Sequence, residues 1–531
     1  MLRFAAWWAF GSAVIFAPPA LAEDPVFSGR EVPAIRITVA SDELEKLRAE
    51  PRSYVRADLR EGETSIPLGL KLKGAAGSFR DWDDRPALTL NARKFGRGEY
   101  RGLGKFHLNN SVQDESYLDE LICSELFRKA GVPAPRVGHA RVWLNGRDVG
   151  LYVLKEGFDR GFLARSFPDP RGNLYDGGFV QDLDAELEKD EGDGVDDRSD
   201  LRAIVAAASD PDPASRARRL ETLVDMDAFL AFMAMERITC HWDGYVNNAN
   251  NYRLYFPTGG RAVFLPHGMD QMFGDIDMPL FEHSDRLVAA PVMQSDALRR
   301  RYRERLRELL PLASPPDDLL RRVDEAASRL RPTIEAMGRE PAEAHAQQVA
   351  DLKARIADRA ERLVAQLGEP EQELLAFDAR GEVRLEGWEP WREGEQAVVE
   401  EVLDGNARSL RIRAGDEPCV AAWRRDVLLG PGTYTLHANA RAEGVAKFED
   451  DDRSGVSVRE ERIRRDRGLL GTFGPKTLTY RFRVREDRKR VPLMLEMRAR
   501  AGEVRFDPDS LRLVREPEPR AAGEAGKMPP R

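Results

Sequence analysis

Between residues 34 and 91, apolar and polar positions alternate in short runs that end at turn-forming residues. Alternation with a period of two is typical of strands that bury one face. The runs predict strands at residues 34–40, 54–59, 66–73 and 87–91. Further on, Asn145-Gly146 joins two alternating runs, which predicts a tight hairpin. The first part of the chain is therefore expected to be rich in strands.

Farther along the chain, apolar residues recur at the spacing of a helix. Residues 116–129 predict an amphipathic helix with Ser116 in its N-terminal cap. Residues 225–238 are so uniformly apolar that they predict a buried helix. Two short strands are predicted at 252–256 and 262–265, and residues 295–366 are again helical.

After Gly368 the chain returns to short strands and glycine turns, at 409–413, 433–438, 478–484, 491–497 and 504–513. This pattern of short strands and glycine turns predicts a separate all-β domain, a sandwich or jelly roll. We therefore expect an α+β body at 24–367 followed by a β-sandwich at 370–515. The body divides into a strand-rich half at about 24–157 and a helix-rich half at 158–367. The tail at 516–531 is rich in Pro, Ala and Gly and is expected to be disordered.

The first 22 residues have the pattern of a signal peptide. Arg3 supplies a positive charge, an apolar run follows, and Ala20-Leu21-Ala22 is a cleavage signal. An uncleaved anchor is the alternative interpretation of the same run. No later stretch approaches 18 apolar residues, so no membrane span is expected in the mature chain. The protein is therefore expected to be exported, to the periplasm or the outside of the cell.

Composition narrows the range of partners and folds. The chain has 531 residues, with 82 Lys and Arg against 91 Asp and Glu, and its formal net charge is −9. This acidic balance argues against a nucleic-acid partner. Three cysteines without metal-binding spacing argue against a disulfide scaffold or a structural zinc site. Whether Cys123 and Cys240 form a disulfide stays open at this point.

Two polar motifs carry the candidate chemistry. His241, Asp243 and Asn248 follow the predicted buried helix with the spacing H-x-D-x-x-x-x-N, and Asp270 begins the motif D-x-x-F-G beyond the two short strands. In phosphoryl transfer one Asp orients the attacking hydroxyl, while an Asn and a second Asp hold metal. The alternatives are a simple Asn-rich turn or a metal site formed by His241, His267 and Asp270. His241 itself is expected to have a supporting, structural role.

Further stretches add to these motifs: LKLKGAAGSF at 70–79, LNNSVQDES at 108–116, ELFRKAGVPAP at 125–135, VWLNG at 142–146, GLY at 150–152, NLY at 173–175 and MDQMFG at 269–274. Together they resemble the CotH family of secreted kinase-like proteins, which are named after a bacterial spore coat protein. The resemblance covers about 60–320, and the C-terminal domain lies outside it.

The resemblance implies a two-lobed atypical protein-kinase fold that binds ATP with Mg²⁺ or Mn²⁺ between its lobes. The implied reaction is transfer of the γ-phosphoryl group to Ser or Thr of a protein. Asp243 would be the catalytic acid that orients the acceptor hydroxyl. Asn248 and Asp270 would be the metal ligands, with Asn251 as a rival to Asn248.

The nucleotide-binding positions are carried over in the same way. Lys73 and Arg85 occupy the family's basic positions, where a cation would face the phosphates. Glu156 lies where the two lobes join, with a surface position as its alternative. Glu120 or Glu125 on the following helix could pair with the cation.

A departure from the family pattern leaves a second function open. The family's Trp-Asp-x-Asp segment reads His267-Gly268-Met269-Asp270 here, which keeps one of the two acids. The expected function is an exported kinase that acts on envelope or secreted proteins. The alternative is a non-catalytic envelope protein that works through its β-sandwich, where Trp388, Trp391 and Trp423 could stack on a glycan or simply fill the core.

Overall fold

The structure is a computed structural model that describes residues 26–27, 31–75, 77–96, 98–393, 397–404, 407–415, 417–448, 452–461, 463 and 467–517. It combines helices with several sheets, which confirms the α+β class. The predicted signal peptide at 1–22 and most of the predicted tail, 518–531, lie outside the described residues. In the part of the chain that is described, no helix has the length and apolarity needed to cross a membrane.

The first part of the chain forms a closed barrel. Its elements are β1 (Ala34–Thr38), α1 (Ser41–Ala49), β2 (Val55–Glu61), β3 (Thr64–Lys73), β4 (Ala87–Asn91), β5 (Lys105–Asn109), α2 (Asp119–Lys129), β6 (Val137–Leu144) and β7 (Arg147–Glu156). The strand order is β1-β2-β3-β4-β5-β7-β6, and β1 pairs parallel with β6. Along β1 and β2 every second residue is buried, as the alternation predicted. The hairpin at Asn145-Gly146 is confirmed, and both turn residues have positive φ. Helix α1 and strand β5 were not predicted.

Helix α2 begins at Asp119, three residues later than predicted. Tyr117 has a φ of 61°, which interrupts a helical backbone before that point. Ser116 lies before the capping position, which Leu118 occupies. Its backbone N–H and its hydroxyl donate to Asp114, at 3.0 and 2.5 Å, and its hydroxyl oxygen accepts the N–H of Leu118 at 3.1 Å. The backbone N–H of Asp119 donates to the other carboxylate oxygen of Asp114 at 3.0 Å. Asp114 therefore organises the turn that leads into α2.

The helical part follows the barrel and carries a second sheet. Its elements are α3 (Arg160–Ser166), β8 (Asn173–Asp176), β9 (Lys189–Glu191), α4 (Ser199–Ala208), α5 (Pro213–Leu223), α6 (Met226–Ile238), α7 (Tyr245–Asn248), β10 (Tyr252–Phe256), β11 (Val263–Pro266), α8 (Ala289–Gln294), α9 (Asp296–Leu309), α10 (Asp317–Glu335) and α11 (Arg339–Gly368). The second sheet has the strand order β11-β10-β8-β9. Helix α6 is buried along most of its length, as its apolar sequence predicted. Helix α2 packs into the same hydrophobic core as α6, so α2 joins the barrel to the helical part.

The C-terminal strands form two sheets around one core. They are β12 (Glu382–Arg384), β13 (Glu389–Glu393), β14 (Ala397–Asp404), β15 (Ala407–Ala414), β16 (Cys419–Leu429), β17 (Gly432–Ala446), β18 (Gly455–Glu460), β19 (Gly471–Val484), β20 (Lys489–Ala499), β21 (Ala501–Phe506) and β22 (Arg512–Arg515). The strand predicted at 504–513 is two strands, because a 3₁₀ turn at Pro508–Ser510 separates β21 from β22. Glu516, which the prediction placed in the tail, pairs with Arg481 at 2.6 Å.

Two of the three tryptophans considered for glycan stacking are core residues. Trp388 and Trp423 are 8% and 3% exposed, and their indole N–H groups donate to the carbonyls of Leu385 and Arg411. Their rings therefore cannot stack on a sugar from the surface. All three cysteines are buried and free, so Cys123 and Cys240 do not form a disulfide in this structure.

Arg359 of α11 holds the end of α6 in place. Its side chain is 1% exposed, and its guanidinium donates to the carbonyls of Arg237 at 2.6 Å and Ile238 at 3.4 Å, in the last turn of α6. It also donates to the carbonyls of Ile276 and Met278, at 2.8 and 2.9 Å. Carbonyls at a helix end have no partner within the helix, and the planar guanidinium satisfies several of them together.

We therefore expect Arg359→Met to lower the free energy of unfolding by about 3 kcal/mol or more, because it leaves several buried carbonyls unpaired. Arg359→Lys should also lower the free energy of unfolding, since an ammonium cannot reach the same set of carbonyls. The matched control is Arg362→Met on the same helix, which loses an exposed ion pair with Asp277 and should change little. Urea unfolding followed by circular dichroism measures the difference, and equal losses at positions 359 and 362 would contradict this role.

Candidate functional site

A polar cleft of about 450 Å³ lies between the barrel and the helical part. Its walls come from the end of β3, from β7, from the turn after β8, from the loop between α6 and β10, and from the segment after β11. Five of the predicted site residues line it: Lys73, His241, Asp243, Asn248 and Asp270. The fold thus brings the two sequence motifs together with a lysine from the barrel.

The loop that carries Asp243 is anchored by Glu236, in the last turn of α6. Glu236 is 1% exposed, and its two carboxylate oxygens accept the backbone N–H groups of Tyr245 and Val246, each at 2.9 Å. Burial raises the pKa of Glu236 to about 8, against the opposing effect of these two hydrogen bonds. A Cβ at Gly244 would lie 2.4 Å from Glu236 Oε1, so this close approach requires glycine.

His241 supports the same loop from its other side. Its Nε2 donates to the carbonyl of Gly268 at 3.3 Å, which links the Asp243 loop to the segment of Asp270. Burial lowers the pKa of His241 to about 4, so the ring is neutral at physiological pH. His241 thus connects the two loops of the cleft through one hydrogen bond.

Three asparagine amides hold the Asp243 carboxylate. Asn248 donates to Oδ1 at 2.6 Å, while Asn250 and Asn251 donate to Oδ2 at 2.9 and 2.8 Å. Asn251 also donates to the backbone carbonyl of Asp243 at 3.1 Å. The Asn-rich stretch is therefore more than a turn, because its side chains fix the orientation of one carboxylate at the cleft wall.

A chain of polar contacts joins two lysines of the cleft. Lys155 of β7 forms a fully buried ion pair with Glu120 of α2. Lys73 of β3 donates to Asn109 Oδ1 at 2.5 Å, and the amide of Asn109 donates to Glu120 at 2.5 Å. Burial and the nearby charge of Lys155 lower the pKa of Lys73 to about 8. Of the two glutamates considered as partners of the cation, it is thus Glu120 that reaches the cleft lysines.

Glu125 pairs with an arginine of the helical part and not with the cleft lysines. Its carboxylate accepts two hydrogen bonds from Arg322 of α10, at 2.8 and 2.5 Å, and so ties α2 to the helical part.

Lys155 was not predicted as a site residue, whereas its neighbour Glu156 was. Successive residues of a strand point to opposite faces. Lys155 therefore faces α2 together with Leu151 and Val153, and lines the cleft. Glu156 points the other way, and its carboxylate pairs with Arg136 and Arg165 at 2.9 and 2.6 Å.

Arg85 also lies apart from the cleft lining. Its guanidinium donates to the carbonyl of Leu151 at 2.5 Å and to the hydroxyl of Tyr117 at 2.9 Å. Arg85 therefore ties the barrel to the turn before α2, and of the two basic positions considered it is Lys73 that lines the cleft.

Asp270 lies deep in the cleft on the segment after β11. Burial and repulsion by Glu120 raise its pKa, against the attraction of Lys73 and Lys155. Within the described ranges its carboxylate takes part in no side-chain hydrogen bond or ion pair. A carboxyl group with no fixed partner, in a cleft that two lysines also line, is suited to a cation or to a ligand that brings one.

Asn248 and Asp270 fit the hard oxygen donors that Mg²⁺ and Mn²⁺ prefer. Asn248 uses its amide nitrogen on Asp243, which leaves its oxygen available. In the part of the chain that the structure describes, no group of three or more His, Cys, Asp and Glu could hold a metal by itself. This argues against the alternative His241–His267–Asp270 metal site. A cation here would complete its shell with phosphate or water oxygens, which is usual for Mg²⁺.

Known proteins resemble this chain as follows. Invasin CotH7 of Rhizopus delemar is 24% identical over 274 residues, which are 47% of this chain and 45% of that protein. Inner spore coat protein H of Bacillus subtilis is 24% identical over 264 residues, 44% of this chain and 70% of that protein. Spore coat protein homolog 1 of Rhizopus delemar is 24% identical over 190 residues, 32% of this chain and 30% of that protein. The chain thus spans less than half the length of the two Rhizopus relatives.

One solved structure, TmCBM61 in complex with beta-1,4-galactotriose, is 16% identical and covers 24% of this chain and 88% of its own, with a TM-score of 0.17. A likeness this weak carries no argument about the fold or the ligand of this protein. The family described as CotH kinase protein, in contrast, matches residues 70–363, which include the cleft and make up more than half of the chain. The protein therefore belongs to the CotH family.

Proposed function

We propose that this protein is an exported kinase that transfers the γ-phosphoryl group of ATP to Ser or Thr of a protein. In this proposal the barrel and the helical part are the two lobes of an atypical protein-kinase body. The observation that carries it is the presence in one cleft of Asp243, Asp270 and Lys73, on three separate elements. Membership of the CotH family supports it.

The two lysines would receive the phosphates. Lys73 and Lys155 both line the cleft, and Glu120 and Asn109 fix their side chains. Cations that are already oriented stabilise phosphate charge without the cost of ordering them during the reaction. Arg253, a third cation at the cleft wall, is paired with Asp176 at 2.7 Å and is therefore partly neutralised.

Asp243 would accept the proton of the attacking hydroxyl. The three amides hold its carboxylate in one orientation while leaving it at the cleft wall. A base that is fixed in this way can align a Ser or Thr oxygen with the phosphorus atom. A divalent cation held by Asn248 and Asp270 would supply charge neutralisation for the phosphates.

Export and the kind of acceptor belong to the same proposal. The first 22 residues have the pattern of a signal peptide, and three relatives carry the names of spore coat proteins or an invasin. We infer an acceptor protein in the envelope or the secreted fraction. The non-catalytic alternative predicts that the cleft binds no nucleotide under any metal.

Metal-dependent binding of ATP tests the cleft directly. We expect the mature chain to bind ATP more tightly in the presence of Mn²⁺, and Asp270→Asn to lose this dependence because a neutral amide binds the cation weakly. Isothermal titration with and without Mn²⁺ gives the two affinities. The matched control is Asp275→Asn, an exposed acid in the same segment, which should behave like the unmodified protein. Metal-dependent binding that survives in Asp270→Asn would exclude the role of Asp270.

Asp243→Asn separates chemistry from binding. We expect phosphoryl transfer to fall by about 10²-fold or more, because the base is lost, while the affinity for ATP with Mn²⁺ stays within about twofold. Transfer from γ-labelled ATP to dephosphorylated casein, used as a Ser-rich probe, measures the rate. Asp184→Asn, at an exposed acid, is the control. Equal rates in the Asp243 and Asp184 variants would refute the assignment of Asp243.

The pKa of Lys73 predicts how ATP binding depends on pH. With a pKa of about 8, Lys73 is charged below pH 8 and loses its charge above it. We expect ATP affinity to be level near pH 7 and then to fall with rising pH, by at most about tenfold per unit. Lys73→Arg keeps its charge over the whole range and should abolish the decline. Titrations between pH 7 and 9.5 check this, and an identical decline in Lys73→Arg would assign the effect to another group.

A further inference from the structure

Asp119, the first residue of α2, contacts the segment that carries Asp270. Its Oδ2 accepts a hydrogen bond from the backbone N–H of Met272 at 2.9 Å, across 153 positions of sequence. Asp119 is 3% exposed, and Met272 is 1% exposed. The contact therefore joins the start of α2 to the loop two residues after Asp270, inside the protein.

The position of Asp119 is itself fixed. Its backbone N–H donates to Asp114, whose other oxygen holds Ser116. The next residue along α2 is Glu120, the partner of Lys155. Two adjacent side chains thus reach the two halves of the cleft, since Glu120 binds the lysine of the barrel and Asp119 binds the Asp270 segment.

The second oxygen of Asp119 has an unusual environment. Oδ1 is buried and finds no hydrogen-bond partner among the described residues. A buried polar atom without a partner destabilises a fold, and such groups in native proteins call for an explanation. An apolar residue at this position would avoid the problem but would leave the N–H of Met272 unpaired.

Backbone contacts hold the Asp270 segment near both of its ends, in addition to the contact between His241 and Gly268. Phe273 has a φ of 55°, and its N–H donates to the carbonyl of Thr239 at 2.9 Å. At the other end of the segment, the backbone N–H of His267 donates to the carbonyl of Asn251 at 2.9 Å. Met272 directly precedes Phe273, so its bond to Asp119 ties this end of the segment to α2.

We propose that Asp119 is a positioning residue that couples α2 to the Asp270 segment, so that the Lys155–Glu120 pair and the Asp270 carboxylate take up their places together. The expected effect of this coupling on the binding of ATP with metal rests on the proposed function. The contact between Asp119 and Met272 is present in the protein without any ligand. Release of the contact would free Asp270 to move while the barrel stays intact.

The test compares Asp119→Ala, which removes the acceptor, with Asp119→Asn, which keeps a carbonyl oxygen that can accept from Met272. Hydrogen exchange of peptides covering 268–274 is measured on the full mature chain without ligand. We expect at least tenfold faster exchange in Asp119→Ala and near-normal exchange in Asp119→Asn. The matched control is Ser124→Ala, which removes another buried, unpartnered oxygen of α2 and should leave the segment unchanged.

The second measurement is the gain in ATP affinity on adding Mn²⁺. Asp119→Ala should reduce this gain at least tenfold, while Asp119→Asn and Ser124→Ala retain it. If the unmodified protein binds no ATP, the proposed function fails, and the exchange data still decide whether the contact positions the segment.

Exchange in Asp119→Ala that equals that of the unmodified protein, or faster exchange in Asp119→Asn as well, would overturn the inference. A uniform rise in exchange over the whole chain in Asp119→Ala would indicate a general loss of stability and would also overturn it. Should Asp119→Ala fail to fold, Asp119→Ser, whose shorter side chain cannot span the distance to Met272, takes its place with the same expected result.

Discussion

The buried ion pair between Lys155 and Glu120 is the constraint on which the site depends. Both side chains are essentially unexposed, so neither charge can be left without its partner. The pair fixes the distance between β7 of the barrel and α2, which packs in the core of the helical part. Lys155 also donates to Nδ1 of His267 at 3.1 Å, and burial together with Lys155 keeps the pKa of His267 well below its usual value. One lysine therefore contacts α2 and the segment after β11, and the barrel cannot shift against either without breaking a buried polar contact.

Buried carboxylates hold the two loops of the cleft in a similar manner. Glu236 accepts the N–H groups at the start of α7, and Asp119 accepts that of Met272. Neither residue lines the cleft, yet each sets the position of an acid that does. Among the residues that the structure describes, neither Asp243 nor Asp270 forms an ion pair, since other carboxylates accept these backbone N–H groups. An acid without an ion-pair partner in the protein is available to a ligand, as the proposed phosphoryl transfer would require.

The sequence predicts local features of this protein well and long-range ones poorly. Strands β1 to β4 and the Asn145-Gly146 hairpin follow from apolar residues that recur every second position. Helix α6 follows from a long, uniformly apolar run. The start of α2 was missed because Asp114, five residues upstream of Asp119, binds its N–H and displaces the expected cap. Lys155 could have been found, since the alternation along β7 puts it on the same face as Leu151 and Val153. Asp119 and Met272 are 153 positions apart, and nothing in the local pattern of either segment indicates the contact.

The missing acid at position 268 has a steric explanation. The family pattern places an Asp where this chain has Gly268, whose φ is 55°. A Cβ built there would lie 2.1 Å from Oδ1 of Asn251. Asn251 is not free to move, because its amide donates to both the carboxylate and the backbone carbonyl of Asp243. Glycine at 268 therefore leaves the space that Asn251 occupies, and Asn251 supplies the third amide on Asp243. In the function that we propose, the cleft is left with one carboxylate for the metal, Asp270, and one for the base, Asp243, so neither acid could replace the other.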